Sequence, residues 1–241
     1  MNALHEPQLA WFLWSLSFLA TWFVLYLFLK SKEGRKEMFW VSVLTLITGF
    51  TEPFFVPAYW NPPSLFDLAH RTGFDIESFI FAFAVGGIAV VIYEHLFHIS
   101  HAGVISHEQH LPHHRFHLFA ILSMPAIFLL LVGVTSLNPI YSAIIAMTVG
   151  GLLSWYCRPD LKKKMFTSAI IFLYLYFIFF SLLIFTYPGY VSQVWNLKAI
   201  SGILIFGIPL EELLFAASFG FIWSSMYEHI MWRRLSKRHI K

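Results

Sequence analysis

Apolar residues along this chain run in stretches long enough to cross a bilayer, which takes about 20 residues of helix. Seven such stretches are visible, at 9–29, 38–58, 75–97, 117–136, 139–157, 165–187 and 204–229. The apolar content of the last begins near Ala199, which is more than one crossing needs, and Pro209 is a candidate break within it. The pattern predicts an all-α integral membrane protein of about seven transmembrane helices, with 1–241 as a single membrane domain. No low-complexity segment or flexible linker divides it. The stretch at 9–29 lacks a basic leader and a small-residue cleavage site, so it is expected to remain as a helix rather than act as a signal peptide.

The polar and aromatic positions between and within these stretches repeat. Phe50-Thr51-Glu52-Pro53 with Trp60-Asn61 returns as Phe185-Thr186-Tyr187-Pro188 with Trp195-Asn196, 135 residues on. Gly73 to Glu77, Phe81, Gly86 and Tyr93-Glu94-His95 return as Gly207 to Glu211, Phe215, Gly220 and Tyr227-Glu228-His229, 134 residues on. One single-residue indel reconciles the two spacings, and the period is far too long for a solenoid. The expected organisation is a first repeat at 1–97, a His-rich cytoplasmic loop and linking helix at 98–138, and a second repeat at 139–241. Stretches one to three then run in the same direction as five to seven, which makes the repeats parallel.

Composition and charge agree with a membrane chain. Of 241 residues 58% are hydrophobic and 12% charged, which excludes an ordinary soluble domain. Basic clusters follow the first stretch (Lys30, Lys32, Arg35, Lys36), the fifth (Arg158, Lys162, Lys163, Lys164) and the seventh (Arg233, Arg234, Lys237, Arg238, Lys241). All fall on one side, which the positive-inside rule makes cytoplasmic, with the N-terminus outside. The net charge of +3 therefore reports topology and implies no nucleic-acid partner. The single Cys157 excludes an internal disulfide framework.

Carboxylates inside a bilayer are costly and need a reason. Glu52, Glu77, Glu211 and Glu212 lie toward the outer side, Glu94 and Glu228 toward the inner side. Glu77 and Glu211 share a repeat position and each lies four residues before a phenylalanine, Phe81 or Phe215, on the same helix face. Both could simply favour a helix N-terminus, or both could face a site; Pro209, two residues before Glu211, suits a first turn. Glu212 pairs with Ser78 in the repeat, and adjacent helical residues diverge by about 100°, so Glu211 and Glu212 face different ways. Trp60 and Trp195 read either as interfacial belt residues or as aromatic walls for a cation. The Tyr-Glu-His triplets read as interfacial helix ends or as the lining of a second polar pocket. His110-Leu111-Pro112-His113-His114 has the HxxHH spacing of membrane di-iron oxygenases, against which stand adventitious metal affinity and a pH-sensitive loop. Nucleotide-binding glycine motifs, a P-loop, a GxSxG elbow and paired DDxxD motifs are absent from the sequence.

The run Gly207-Ile208-Pro209-Leu210-Glu211-Glu212-Leu213-Leu214-Phe215 resembles the PxE(E/D)xxxF signature of the small membrane lycopene cyclase domain, the heterodimer-type carotenoid cyclase. The likeness covers two three-helix units, as in the fused archaeal-like form. In the second half Pro209, Glu211 and Glu212 match the signature; in the first half Glu77 matches, while Asp75 and Ser78 replace the proline and the second acid. The resemblance implies a cofactor-independent, redox-neutral ring closure of a lycopene-like polyene in the bilayer, with no metal. It implies Glu211 or Glu212 as acid, its neighbour or Glu77 as partner base, and Trp60, Trp195, Phe81 and Phe215 as walls, with Glu52 and Pro209 at the substrate. Such chemistry needs an acid kept neutral by burial, aromatic faces for the cation and exclusion of water. Association with other carotenoid enzymes is a further expectation. The competing expectations are a His-cluster, iron-dependent lipid or carotenoid oxygenase, and a non-enzymatic isoprenoid-binding or transport protein.

Overall fold

Lipid offers the backbone no hydrogen bonds, so apolar runs satisfy their amides internally and fold as helices. The computed structural model describes residues 7–104 and 112–237. Helix α1 (Pro7–Phe28) is followed by α2 (Lys32–Leu46), capped by Ser31, whose hydroxyl accepts from the Gly34 amide at 3.2 Å. The helical segment starting at α2 changes its winding. It tightens into a 3-10 turn at Ile47–Thr51 before the single turn α3 (Glu52–Phe55). The hydroxyls of Thr45, Thr48 and Thr51 donate to the carbonyls of Val41, Thr48's preceding turn at Thr45, and Thr48 at 2.7, 2.7 and 2.6 Å. Such back-bonding bends helices. The second membrane stretch therefore begins at 32 rather than 38.

After the short α4 (Leu68–Thr72), α5 (Ile76–Phe97) is capped by Asp75, which accepts from the Ser78 amide at 2.5 Å, and leads into β1 (Ile99–Gly103). Helix α6 (His117–Val134) precedes α7 (Pro139–Cys157), whose start is set by Asn138 as cap and Pro139 in the first turn. Then come α8 (Lys162–Thr186), the short α9 (Tyr190–Val194), and a hairpin of β2 (Leu204–Ile205) with β3 (Ile208–Pro209). Helices α10 (Leu210–Trp223) and α11 (Met226–Ile230) and strand β4 (Arg233–Lys237) complete the described chain.

Among the described residues six helical segments are long and apolar enough to cross a membrane: Gln8–Phe28, Lys32–Phe55, Ile76–Phe97, His114–Val134, Pro139–Cys157 and Pro159–Thr186. The seventh stretch is different. Its first six residues form the hairpin, and its helix starts only after Pro209. The helix is then interrupted at Ser224 and Ser225, whose hydroxyls turn back to the Phe221 and Ile222 carbonyls at 3.2 and 3.0 Å. Sequence patterning also left no strands, yet β1 and β4 pair antiparallel.

The packing centres on α5 and α10, which touch each other. Helices α1 and α2 pack on α5, α7 and α8 pack on α10, α8 also reaches α1 and α5, and α6 lies on α7. Gly86 and Gly220, which occupy matching positions in the sequence, each sit at a close helix crossing. A Cβ at Gly86 would collide with Thr45 on α2, and one at Gly220 would lie 2.8 Å from Phe172 on α8.

The two ends of the bundle join residues related by the repeat. At one end Trp60 bridges to Trp195, the Asn61 amide donates to the Val194 carbonyl at 2.8 Å, and the Asn196 amide donates to the Tyr59 carbonyl at 2.9 Å. At the other, β1 and β4 are in a register that places His101 opposite Leu235. Backbone conformation repeats as well: Gly73 and Gly207 have φ of 79° and 83°, and His98 and Trp232, neither a glycine, have 52° and 49°.

Candidate active site

A cavity lies within the helix bundle. Its wall is drawn from α1, the α2–α3 segment, α5, α6, α7, α8 and α10. Most of that wall is aromatic or aliphatic: Trp11, Trp14, Phe55, Trp60, Phe81 and Phe215 are among its residues. Trp11 meets Trp60 edge-on with ring centroids 4.8 Å apart, and Trp14 lies 5.6 Å from Phe81. Two carboxyl side chains face this space, Glu52 and Glu212, with Ser78 and the Tyr59 and Tyr176 phenols beside them.

The two carboxyls are held differently. Glu212, in the first turn of α10, is 6% exposed and receives three donors. The Tyr59 hydroxyl and the Trp195 indole N–H donate to Oε1 at 2.6 and 2.9 Å, and the Tyr176 hydroxyl donates to Oε2 at 2.5 Å. Three donors from three separate elements fix this side chain as an acceptor. Burial, then the neighbouring Glu212 carboxyl, pushes the Tyr59 hydroxyl well above its ordinary value, so Tyr59 keeps its proton and remains a donor. Glu52 starts α3 just after the 3-10 turn, is 7% exposed, and its Oε1 has no hydrogen-bond partner. Apolar surroundings and a free oxygen are what a group presented to a ligand would have.

The duplicated carboxylates lie elsewhere. Glu211 turns away from Glu212, as helical geometry demands. Its Oε1 accepts from the Tyr141 hydroxyl at 2.6 Å and the Ser201 amide at 2.9 Å. Glu77 Oε1 accepts from the Leu65 amide at 2.7 Å. Each therefore ties the loop preceding its helix to the first helical turn, and neither borders the cavity. Of the expected walls, Trp60, Phe81 and Phe215 line it. Trp195 is 4% exposed and acts through its indole N–H on Glu212, while Pro209 lies in β3, just before α10.

Sequence reasoning passed over Tyr59, Tyr176, Trp11 and Trp14. The repeat draws attention to residues that recur, whereas the carboxyls and phenols of the cavity do not recur. Glu52 has Tyr187 as its counterpart, Glu212 has Ser78, and Tyr59 has Val194. The available signal was the departure from the repeat.

A second polar cluster sits at the opposite end of α5. Lys164, completely buried, directs Nζ to Glu228 Oε1 at 2.6 Å and Glu37 Oε1 at 3.4 Å, and also contacts Glu94. His101 Nε2 is 3.0 Å from Glu228 Oε1, 3.6 Å from Glu37 Oε2 and 3.8 Å from Glu94 Oε1. Glu94 and Glu228 of the repeated triplets thus line a buried polar site, the second of the two readings their sequence allowed. Other histidines of the His-rich loop go their own ways: His98 caps α5, and His114 and His117 lie beside Cys157. His107 and His110 lie outside the described residues, as does the side chain of His113.

A mostly helical bundle with six helices of membrane length, around an aromatic cavity that holds buried carboxyls, marks a membrane protein. The family model described as lycopene cyclase matches residues 138–230, from the cap of α7 to the end of α11. The match bears out the resemblance to the lycopene cyclase domain family over that segment and supports an enzyme of carotenoid cyclisation. It contains Tyr176, Trp195, Pro209, Glu211, Glu212 and Phe215, while Glu52, Tyr59, Trp60, Glu77 and Phe81 precede it. No curated protein and no solved structure matches the chain.

Proposed function

We propose that the chain is a cofactor-independent carotenoid cyclase that closes a ring on one end of a lycopene-like polyene inside the central cavity. The observation that carries this reading is Glu212, triply hydrogen-bonded at the edge of an aromatic cavity that Glu52 also faces. Glu52 is the proton donor. Its proton adds to the terminal double bond of the polyene and leaves a tertiary cation. The neighbouring double bond attacks that cation and closes a six-membered ring. Loss of a ring proton to a carboxylate then restores neutrality, so no oxidant or reductant is consumed. Glu212, held as an acceptor, supplies negative charge beside the cation and is the base or its electrostatic partner. The faces of Trp60, Phe81 and Phe215 stabilise the cation through their π electrons. Aromatic walls exclude the water that would trap it as an alcohol. Glu211 and Glu77 keep the loops over the site in place and take no part in proton transfer.

The same reading makes the molecule two parallel repeats about an axis along the membrane normal, N-terminus outside. Its support is that Trp60 meets Trp195 at one end and His101 meets Leu235 at the other, partners 135 and 134 residues apart. The polyene enters from the bilayer, where it is dissolved.

The test is pigment analysis of a lycopene-accumulating bacterial host expressing the chain. Cyclic carotenoid should appear with the unmutated protein and with Glu211→Gln, and should be lost with Glu52→Gln and with Glu212→Gln while each protein remains in the membrane. Full conversion by both Glu52→Gln and Glu212→Gln would sink the assignment.

A further inference from the structure

We propose that His114, His117 and Cys157 form a soft divalent-metal site, of the kind that holds Zn²⁺, at the end of the bundle where α6 begins and α7 ends. His114 lies in the 3-10 turn at Pro112–Phe116, His117 is the first residue of α6, and Cys157 is the last of α7. Each offers one ligand atom, and the three atoms all lie within 4.8 Å of one another. Cys157 Sγ is 3.3 Å from His117 Nδ1 and 3.6 Å from His114 Nδ1. A tetrahedral zinc ion, with Zn–S of about 2.3 Å and Zn–N of about 2.0–2.1 Å, puts sulfur and nitrogen ligands about 3.5 Å apart. The two sulfur–nitrogen edges of such a tetrahedron are already in place.

The surroundings of His117 give a second, independent observation. Its Nε2 lies 3.0 Å from the His229 carbonyl oxygen, which can only accept, so Nε2 carries the proton. Nδ1 then presents its lone pair toward Cys157. A backbone carbonyl on the far nitrogen is the usual way a metal-binding imidazole is oriented. The ring is also clamped. Trp232 stacks on it at 4.0 Å and 22°, and His229 lies at 5.5 Å and 17°. His114 meets the same Trp232 edge-on at 5.1 Å. His229 is itself locked, with Nε2 at 3.1 Å from the Ser154 carbonyl and Nδ1 at 3.1 Å from that of Ser225. Two imidazoles and a thiolate suit zinc better than magnesium or calcium, which seek oxygen. Cys157 gives up its thiol proton on binding, and the fourth position takes water.

The ion would join the start of α6 to the end of α7. Met124 and Phe128, further along α6, line the cavity, so the metal would brace a wall of the proposed active site without touching the polyene. The site is independent of the cyclase reading, and either can fail alone.

The experiment uses the whole protein in detergent, purified without a histidine tag, stripped of metal and titrated with Co²⁺. The expected result is one Co²⁺ per chain, with a sulfur-to-cobalt charge-transfer band and the strong visible bands of tetrahedral cobalt. Cys157→Ser should abolish the charge-transfer band, His117→Ala should weaken binding, and His95→Ala, outside the cluster, should change neither. Cobalt bound with no charge-transfer band, or bound equally by Cys157→Ser, would be adventitious affinity of the histidine-rich loop and would overturn the proposal. Should the variants fail to fold, the unmutated protein suffices because Cys157 is its only cysteine. Zn²⁺ should slow alkylation of that thiol by about tenfold or more, and a chelator should restore the rate. Alkylation indifferent to Zn²⁺ would equally overturn it.

Discussion

On the proposed mechanism, the chemistry turns on which glutamates face the cavity and which face the loops. Glu211 and Glu212 are neighbours in sequence and differ completely in surroundings, one bonded to Tyr141 and the Ser201 amide, the other to Tyr59, Tyr176 and Trp195. Helical geometry made their divergence legible beforehand, but not which of them points inward, because both flanking faces are apolar. Tyr59→Phe and Tyr176→Phe each remove one donor from Glu212 and preserve the ring. Each is expected to slow ring formation about 10- to 100-fold, the range of a lost charge-assisted hydrogen bond of about 1.5–3 kcal/mol. Initial rates of conversion in isolated membranes measure this, and unchanged rates in both variants would mean that Glu212 does not act in the reaction. Glu211→Gln should instead lower the amount of folded protein, since it weakens a loop tie, and leave the activity per folded molecule near that of the parent.

At the scale of the helices, two features do most to set the geometry. The first is the 3-10 turn between α2 and α3, which directly precedes Glu52. Gly49, Pro53 and three threonines spaced by three residues foreshadow it, yet an apolar-run count sees only a helix of suitable length. The second is the close crossing at Gly86, where α5 meets Thr45 of α2. Gly86→Val should cost about 1–3 kcal/mol by overpacking, seen as a lower midpoint when thermal unfolding in detergent is followed by size-exclusion chromatography. The buried ion cluster ties α2, α5, α8 and α11 together. Lys164→Met would leave Glu37, Glu94 and Glu228 without their ammonium, and is expected to destabilise by about 3–5 kcal/mol. A variant as heat-resistant as the parent would show that the ammonium is not the group holding these carboxylates together. Sequence reading found Glu94 and Glu228 through their repetition. It did not single out Glu37, and it read Lys164 only as one member of a basic cluster.

At the scale of the whole molecule, duplication and asymmetry divide the work. Repeated residues build the frame: Trp60 with Trp195, Gly86 with Gly220, Glu77 with Glu211, and the left-handed turns at Gly73 and Gly207. Unrepeated ones supply the carboxyls and phenols of the cavity, Glu52, Glu212, Tyr59 and Tyr176, so a single site is expected rather than one in each half. The all-α membrane class was legible because apolar runs of bilayer length have few other fates. The shortened α10, the hairpin before it and the β1–β4 pair were not, since they depend on contacts between segments distant in the chain.

The central claim is that ring closure begins with a proton delivered inside the cavity and involves no net redox change. Membranes containing the protein and lycopene, incubated in D₂O, test it most directly by mass spectrometry of the pigment. The account predicts a cyclic carotenoid retaining one deuterium for each ring formed, with none formed by Glu52→Gln. A cyclic product without deuterium, or lycopene left unchanged by membranes that contain the folded protein, would contradict it.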